Sequence, residues 1–158
     1  MPREISAGGV VVRRAEMGWE VAVIEPKREA DAAKSGKKAA NSVLALPKGI
    51  VDPGEKAPET AVREVREETG IQGSIITKLT DIKYVYVRTW GDKQRVFKIV
   101  SFYLLQYEFG TIDDVSPAMR IEVNRALWIP LEGAEHQLSY RGERDVIRLA
   151  QKYLHAAS

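Results

Sequence analysis

The apolar positions of the chain fall into two periods. Ala7 to Val12 (AGGVVV) and Trp19 to Ile24 (WEVAVI) are short apolar runs joined by the polar turn Arg14 to Gly18, which predicts a pair of strands. Val43 to Leu46 (VLAL) predicts a third, buried strand that Pro47 stops. Ile82 to Trp90 (IKYVYVRTW) and much of Arg95 to Tyr107 alternate in character, with Gly91-Asp92 between them as a hairpin signal. Ala126 to Ile129 (ALWI) reads as a last short strand.

Two stretches carry the helical period instead. One runs from Pro58 to Thr69; the other, Glu143 to Leu154, places Val146, Ile147, Ala150, Tyr153 and Leu154 at helical spacing. The order β-β-β-α-β-β-β-α predicts an α+β fold, a mixed sheet with helices packed on it. The segment Lys27 to Ser42 has too few apolar positions to bury and is expected to be a mobile, solvated loop insertion.

Composition narrows the partners. With 158 residues the chain fits a single domain, 1–158, with a real core. A net charge of +2 with 29% charged residues shows no basic stripe of the kind nucleic acid requires, yet suits a small polyanion. The absence of cysteine excludes disulfides, thiolate metal sites and cysteine nucleophiles. The N-terminus MPREISAGG has no apolar targeting core, and no run approaches the ~18 apolar residues of a membrane span. The expectation is a cytoplasmic protein without membrane or nucleic-acid partners, either monomer or homodimer.

The first helix carries the candidate chemistry. Taking Glu64 as zero, Glu67 lies at roughly −60° and Glu68 at roughly +40°, which makes one face purely carboxylate. Ala61, Val65 and Val62 fill an apolar arc, while Glu59, Arg63 and Arg66 occupy the remaining side, where Glu59–Arg63 is an i,i+4 pair. Carboxylates near a helix C-terminus meet mutual repulsion and an unfavourable dipole. Such a face is either a solvated one or a seat for a hard divalent cation, which takes carboxylate oxygens and bridges to phosphates. Pro58 in the first turn and Gly70 past the last bound the helix.

The stretch from Gly49 to Ile71 resembles the Nudix box, G-x5-E-x7-R-E-U-x-E-E-x-G-U, with U a bulky aliphatic residue. Gly49, Glu55, Arg63, Glu64, Val65, Glu67, Glu68, Gly70 and Ile71 meet every specified position. The resemblance implies the Nudix fold, a mixed sheet sandwiched between helices, and hydrolysis of a nucleoside diphosphate linked to another moiety, with Mg²⁺ or Mn²⁺. By position in the box, Glu64, Glu67 and Glu68 would carry metal, with the Lys48 carbonyl as a further ligand. Arg63 and Glu55 would orient the carboxylates and the loop. Glu64 would act as general base, and Glu122, in a loop beyond the box, would add a metal ligand.

Substrate is less constrained by the pattern. Leu46-Pro47-Lys48-Gly49 resembles the diadenosine polyphosphate and diphosphoinositol polyphosphate branch. Val51-Asp52-Pro53-Gly54-Glu55, the AGGVV strand and LSYRGERDVI resemble MutT-like bacterial relatives, some of which accept oxidised guanine nucleotides. Lys48, Arg88, Arg95 and Lys98 are candidate polyphosphate contacts and Tyr84 a candidate base contact. The leading expectation is a diadenosine polyphosphate hydrolase. The alternatives are a pyrophosphatase for oxidised deoxynucleotides, a diphosphoinositol polyphosphate hydrolase, and a catalytically silent nucleotide-binding module, against which the three box glutamates argue.

Overall fold

A computed structural model describes residues 1–27, 43–89 and 91–157. The expected loop from Lys27 to Ser42 and Trp90 therefore lie, apart from Lys27 itself, outside the described residues. The strands are β1 (Arg3–Ala15), β2 (Gly18–Pro26), β3 (Lys48–Ile50), β4 (Ile71–Val87), β5 (Arg95–Gly110) and β6 (Val123–Pro130). Helices α1 (Ala57–Thr69) and α2 (Arg141–Ala157) complete the order β-β-β-α-β-β-β-α.

One mixed sheet holds all six strands in the order β4-β5-β1-β2-β6, with β3 paired to β1. β1 runs parallel to β5 and antiparallel to β2 and β3. This central position explains why β1 reads as an unbroken apolar run: both of its faces are covered. Val10 and Val12 pack with Phe102, Leu104, Val146 and Ile147 on the α2 side. Ala7 and Val11 pack with Ala61, Val65, Ile71 and Leu105 on the α1 side.

The glycines of β1 set how closely its neighbours come. A Cβ on Gly9 would strike Val65 of α1 and Leu105, each 2.8 Å away. A Cβ on Gly8 would overlap the Pro47 carbonyl and meet the Lys48 side chain at 2.7 Å. The pair thus lets α1 and the 47–48 segment sit directly against β1, which is what brings the first helix and β3 together.

Two expectations are corrected. Val43 to Leu46 is not a strand: only Ala45 makes an isolated bridge, to Ile24, and the paired strand lies beyond Pro47, where Lys48–Ile50 meets Ser6–Gly8. β4 begins eleven residues earlier than Ile82. Its register with β5 shifts three times, between Gln72/Gly73, Ile75/Thr77 and Lys78/Thr80. Each shift breaks the period-two alternation that would have marked the strand.

Gly70 ends α1 in the left-handed region at φ +84°, with its N–H donating to Arg66 O at 2.9 Å. An added Cβ there would lie 2.5 Å from the Thr111 carbonyl oxygen. Gly70→Ala is expected to lower unfolding stability by roughly 1–2 kcal/mol from backbone strain alone, and more from the clash. Urea denaturation followed by circular dichroism measures it.

Candidate active site

Helix α1 lies against the chain that leads into it. Its start is capped by Glu59, whose Oε1 accepts the Lys56 N–H at 2.9 Å. This use of Glu59 replaces the expected Glu59–Arg63 pair, since the first turn has unsatisfied N–H groups that a carboxylate fits.

Arg63 is engaged elsewhere. Its Nε and Nη2 donate to the two oxygens of Glu55 at 2.8 and 2.9 Å, a bidentate fork. Nη1 donates to Glu64 Oε1 at 2.8 Å and reaches Glu67 at 3.3 Å. Nη2 also donates to the Ile50 carbonyl at 3.2 Å. One guanidinium therefore ties the 50–55 loop to two of the box carboxylates. The fork from Arg63, with the Thr60 hydroxyl, holds the Glu55 carboxyl at about 2.

Glu64 and Glu68 are buried although charged residues seldom are. Gly49 lies so close to Glu64 that any Cβ would overlap its carboxyl group, so the first box glycine is a steric requirement of the glutamate below it. Glu68 Oε1 accepts the Lys48 N–H at 2.9 Å. Burial nevertheless pushes the Glu68 carboxyl up to about 8, and the charges of Glu64 and Glu122 push the same way. Glu64 is raised as well, first by burial, and Arg63 opposes the rise. Glu122 is exposed at the end of a short turn over Met119–Ile121, near enough for its charge to act on both Glu64 and Glu68.

A divalent cation suits the donor chemistry, because these groups are hard oxygen donors and one of them is desolvated. In the conformation described, no group of three acidic or histidine side chains among the described residues closes into a metal shell. Arg63 engages Glu64 Oε1 and the Lys48 N–H engages Glu68 Oε1.

Lys48 is held from a second direction. Its Nζ lies 2.8 Å from Glu143 Oε2, and Glu143 Oε1 accepts the Leu46 N–H at 2.7 Å. Burial works against the Lys48 charge, but Glu143 outweighs it and raises the ammonium above its ordinary value. Glu143 sits in the first turn of α2 and is 4% exposed, so its pair with the half-buried Lys48 joins the α2 N-terminus to the entry of β3.

Two adjoining cavities flank this pair, sharing Lys48 and Tyr140. A slot of about 320 Å³ is walled by Ile82, Tyr84, Val100, Phe102, Tyr140 and Gly142, with Lys48 and Glu143 at its side. A second cavity of about 250 Å³ is lined by Glu4, Ser6, Gly49, Glu68 and Lys98 among others. Lys98 Nζ lies 2.9 Å from Glu4 Oε1, and the Tyr86 hydroxyl donates to Glu4 Oε2 at 2.8 Å. The fold thus gathers Lys48 and Lys98 in one cavity with Glu68, with Tyr84 in the adjoining slot. Arg88 and Arg95 line neither cavity: they stand at the turn end of the β4–β5 hairpin, where Arg88 N–H donates to Gln94 O. Tyr140 and Glu143 were not singled out from the sequence. Glu143 stands in the first turn of α2 and Tyr140 just before it, and local spacing gives neither a signal for a site.

A NUDIX domain model matches residues 3–150, and the chain belongs to the Nudix hydrolase family. MutT4 of Mycobacterium tuberculosis is 34% identical over 154 residues, covering 96% of this chain and 56% of its own length. An 8-oxo-(d)GTP phosphatase of Mycolicibacterium smegmatis is 34% identical over 103 residues, 65% of this chain and 28% of that protein. The chain therefore spans between about a quarter and somewhat over half of these relatives. A crystal structure of an Ap4A hydrolase of C. elegans in a binary complex shares the fold with a TM-score of 0.67 at 20% identity, covering 97% of this chain and 98% of that one. Among the described residues, no helix is long and apolar enough to cross a membrane.

The Glu68 carboxyl holds its proton more tightly folded (about 8) than at its ordinary 4.5. Folded protein without metal is then expected to lose stability as pH rises from 4.5 to about 8, on the order of a few kcal/mol. Glu68→Gln keeps the acceptor for the Lys48 N–H and flattens that dependence. Thermal unfolding in chelator at pH 5 and pH 8 checks the difference between wild type and variant.

Proposed function

We propose that the protein hydrolyses diadenosine polyphosphates, water attacking one phosphorus of the chain while the bridging P–O bond breaks. The observation that carries this reading is the slot between Tyr84 and Tyr140, which shares Lys48 and Tyr140 with the cavity that Glu68 lines. Its walls are aromatic and aliphatic, and its two charged side chains, Lys48 and Glu143, are already paired. Such a slot grips a base by stacking and supplies few groups to read the base edge. Selectivity then falls to the phosphate chain, where the second cavity places Lys98 and Lys48.

Nudix hydrolases generally use divalent metal ions. Glu64, Glu67 and Glu68, with the Lys48 carbonyl and Glu122, are the residues that would hold Mg²⁺ or Mn²⁺, whose chemistry is charge neutralisation and a lowered water pKa. The rest is work for the chain's own groups. Glu64 takes the proton of the attacking water on its carboxylate, and its burial gives it a raised proton affinity suited to that task. Arg63 orients Glu64 and, through Glu55, keeps the loop against the helix. Lys48 and Lys98 meet the negative charge of the phosphates.

A pyrophosphatase acting on oxidised guanine nucleotides is the second reading, favoured by the name of the Mycolicibacterium smegmatis relative. Diphosphoinositol polyphosphates suit the site less well, because an inositol ring has no aromatic face for the slot.

Product analysis separates the readings. With Mg²⁺ and diadenosine tetraphosphate, the expected products are ATP and AMP, with 8-oxo-dGTP turned over far more slowly. Fast release of pyrophosphate from 8-oxo-dGTP would instead favour the second reading, and retained binding without any turnover would leave a silent module. Tyr84→Ala and Tyr140→Ala are each expected to raise KM for the dinucleotide about tenfold or more, the loss of one stacking partner, with kcat changed much less. Steady-state kinetics at varied substrate measure both.

A further inference from the structure

β1 alternates its side chains between the two sheet faces, so Glu4, Ser6, Gly8 and Val10 share one of them. Val10 is core beneath α2, while Glu4 and Ser6 line the second cavity. Ser6 sits in register with Val100 of β5 on one side and Ile50 of β3 on the other. It lines that cavity together with Glu68 and is 1% exposed.

Among the described residues, its Oγ is the one buried side-chain polar atom with no hydrogen-bond partner. A buried hydroxyl in that state is a cost to the fold. Nothing in the packing requires the oxygen, since alanine would fill the same space less one atom. The lysines of the cavity are committed: Lys98 to Glu4, Lys48 to Glu143, and the Lys48 N–H to Glu68. Ser6 is an uncommitted donor held by strand pairing on both sides, in a cavity that Lys48 and Lys98 line beside Glu4 and Glu68. A hydroxyl in that state suits an acceptor oxygen, and an anionic one would also draw on the two ammonium groups.

The geometry points to Ser6 as a specificity-determining contact whose hydroxyl donates to a non-bridging phosphate oxygen of a polyphosphate bound in this cavity. The ligand class rests on the polyphosphate reading of the preceding section. Ser6 takes no part in bond breaking; it fixes where the phosphate chain lies relative to Glu68 and Glu64.

The test uses inorganic tripolyphosphate, which has no base and so does not depend on the aromatic slot. Wild type and Ser6→Ala are titrated with it by calorimetry, with Ca²⁺ as the divalent ion, and their melting temperatures are compared without ligand. The expected result is at least about tenfold weaker binding by the variant, the scale of one lost hydrogen bond to a charged group, with an unchanged or higher melting temperature. Equal affinities, or no binding of tripolyphosphate by the wild type, overturn the inference. A melting temperature lowered by Ser6→Ala also overturns it, because the hydroxyl would then serve the fold. Kinetics on diadenosine tetraphosphate keep the two proposals apart. Wild type that binds tripolyphosphate but cleaves no dinucleotide sinks the substrate reading and leaves Ser6 standing. Wild type that cleaves the dinucleotide, with Ser6→Ala matching it in KM and tripolyphosphate affinity, does the reverse.

Discussion

The site depends on one guanidinium. Arg63 forks onto Glu55, donates to Glu64 and reaches Glu67, so the loop after β3 and the acidic face of α1 are joined through a single planar group. A lysine could not do this, because it carries a point charge rather than a fixed fork of donors. The same contacts relieve the repulsion among carboxylates that a helix end would otherwise aggravate. They also fix where two of the three box carboxylates of α1 stand, since Arg63 holds both Glu64 and Glu67.

A second constraint is the close approach of chain segments around β1. Gly8 admits Pro47 and Lys48, Gly9 admits Val65, and Gly49 admits the carboxyl group of Glu64. Lys48 is then placed so that its N–H meets Glu68 while its ammonium group meets Glu143 on α2. The two helices lie on opposite faces of the sheet, yet both send a carboxylate to this one residue. The cleft between slot and acidic face is therefore fixed by core packing on both sides, and its lysines are presented with counter-ions already in place.

Desolvation gives the cleft its chemical character. Glu64 and Glu68 are carried into partial burial by the apolar residues beside them on α1, Ala61 and Val65, which are anchored against Ala7, Val11 and Leu105. Packing on one side of the helix thus tunes proton affinity on the next, and raised carboxyl groups follow from the same contacts that stabilise the fold.

Much of this was legible in the sequence. The order of strands and helices, the ends of α1 at Pro58 and Gly70, and the carboxylate face of Glu64, Glu67 and Glu68 follow from local spacing, because a helix turns by a known angle and a strand alternates. The upstream half of β4 was hidden because register shifts destroy alternation. β3 was displaced past Pro47 because its existence depends on pairing with Ser6–Gly8 rather than on its own three residues. The Lys48–Glu143 pair spans 95 residues, and the slot between Tyr84 and Tyr140 joins β4 to the start of α2. The sequence by itself determined which residues carry charge and on which face of their own element they stand. Which of those charges are buried, which are paired, and that a hydroxyl on β1 is left without a partner were decided only by the tertiary structure, because burial and pairing are properties of segments brought together from distant parts of the chain.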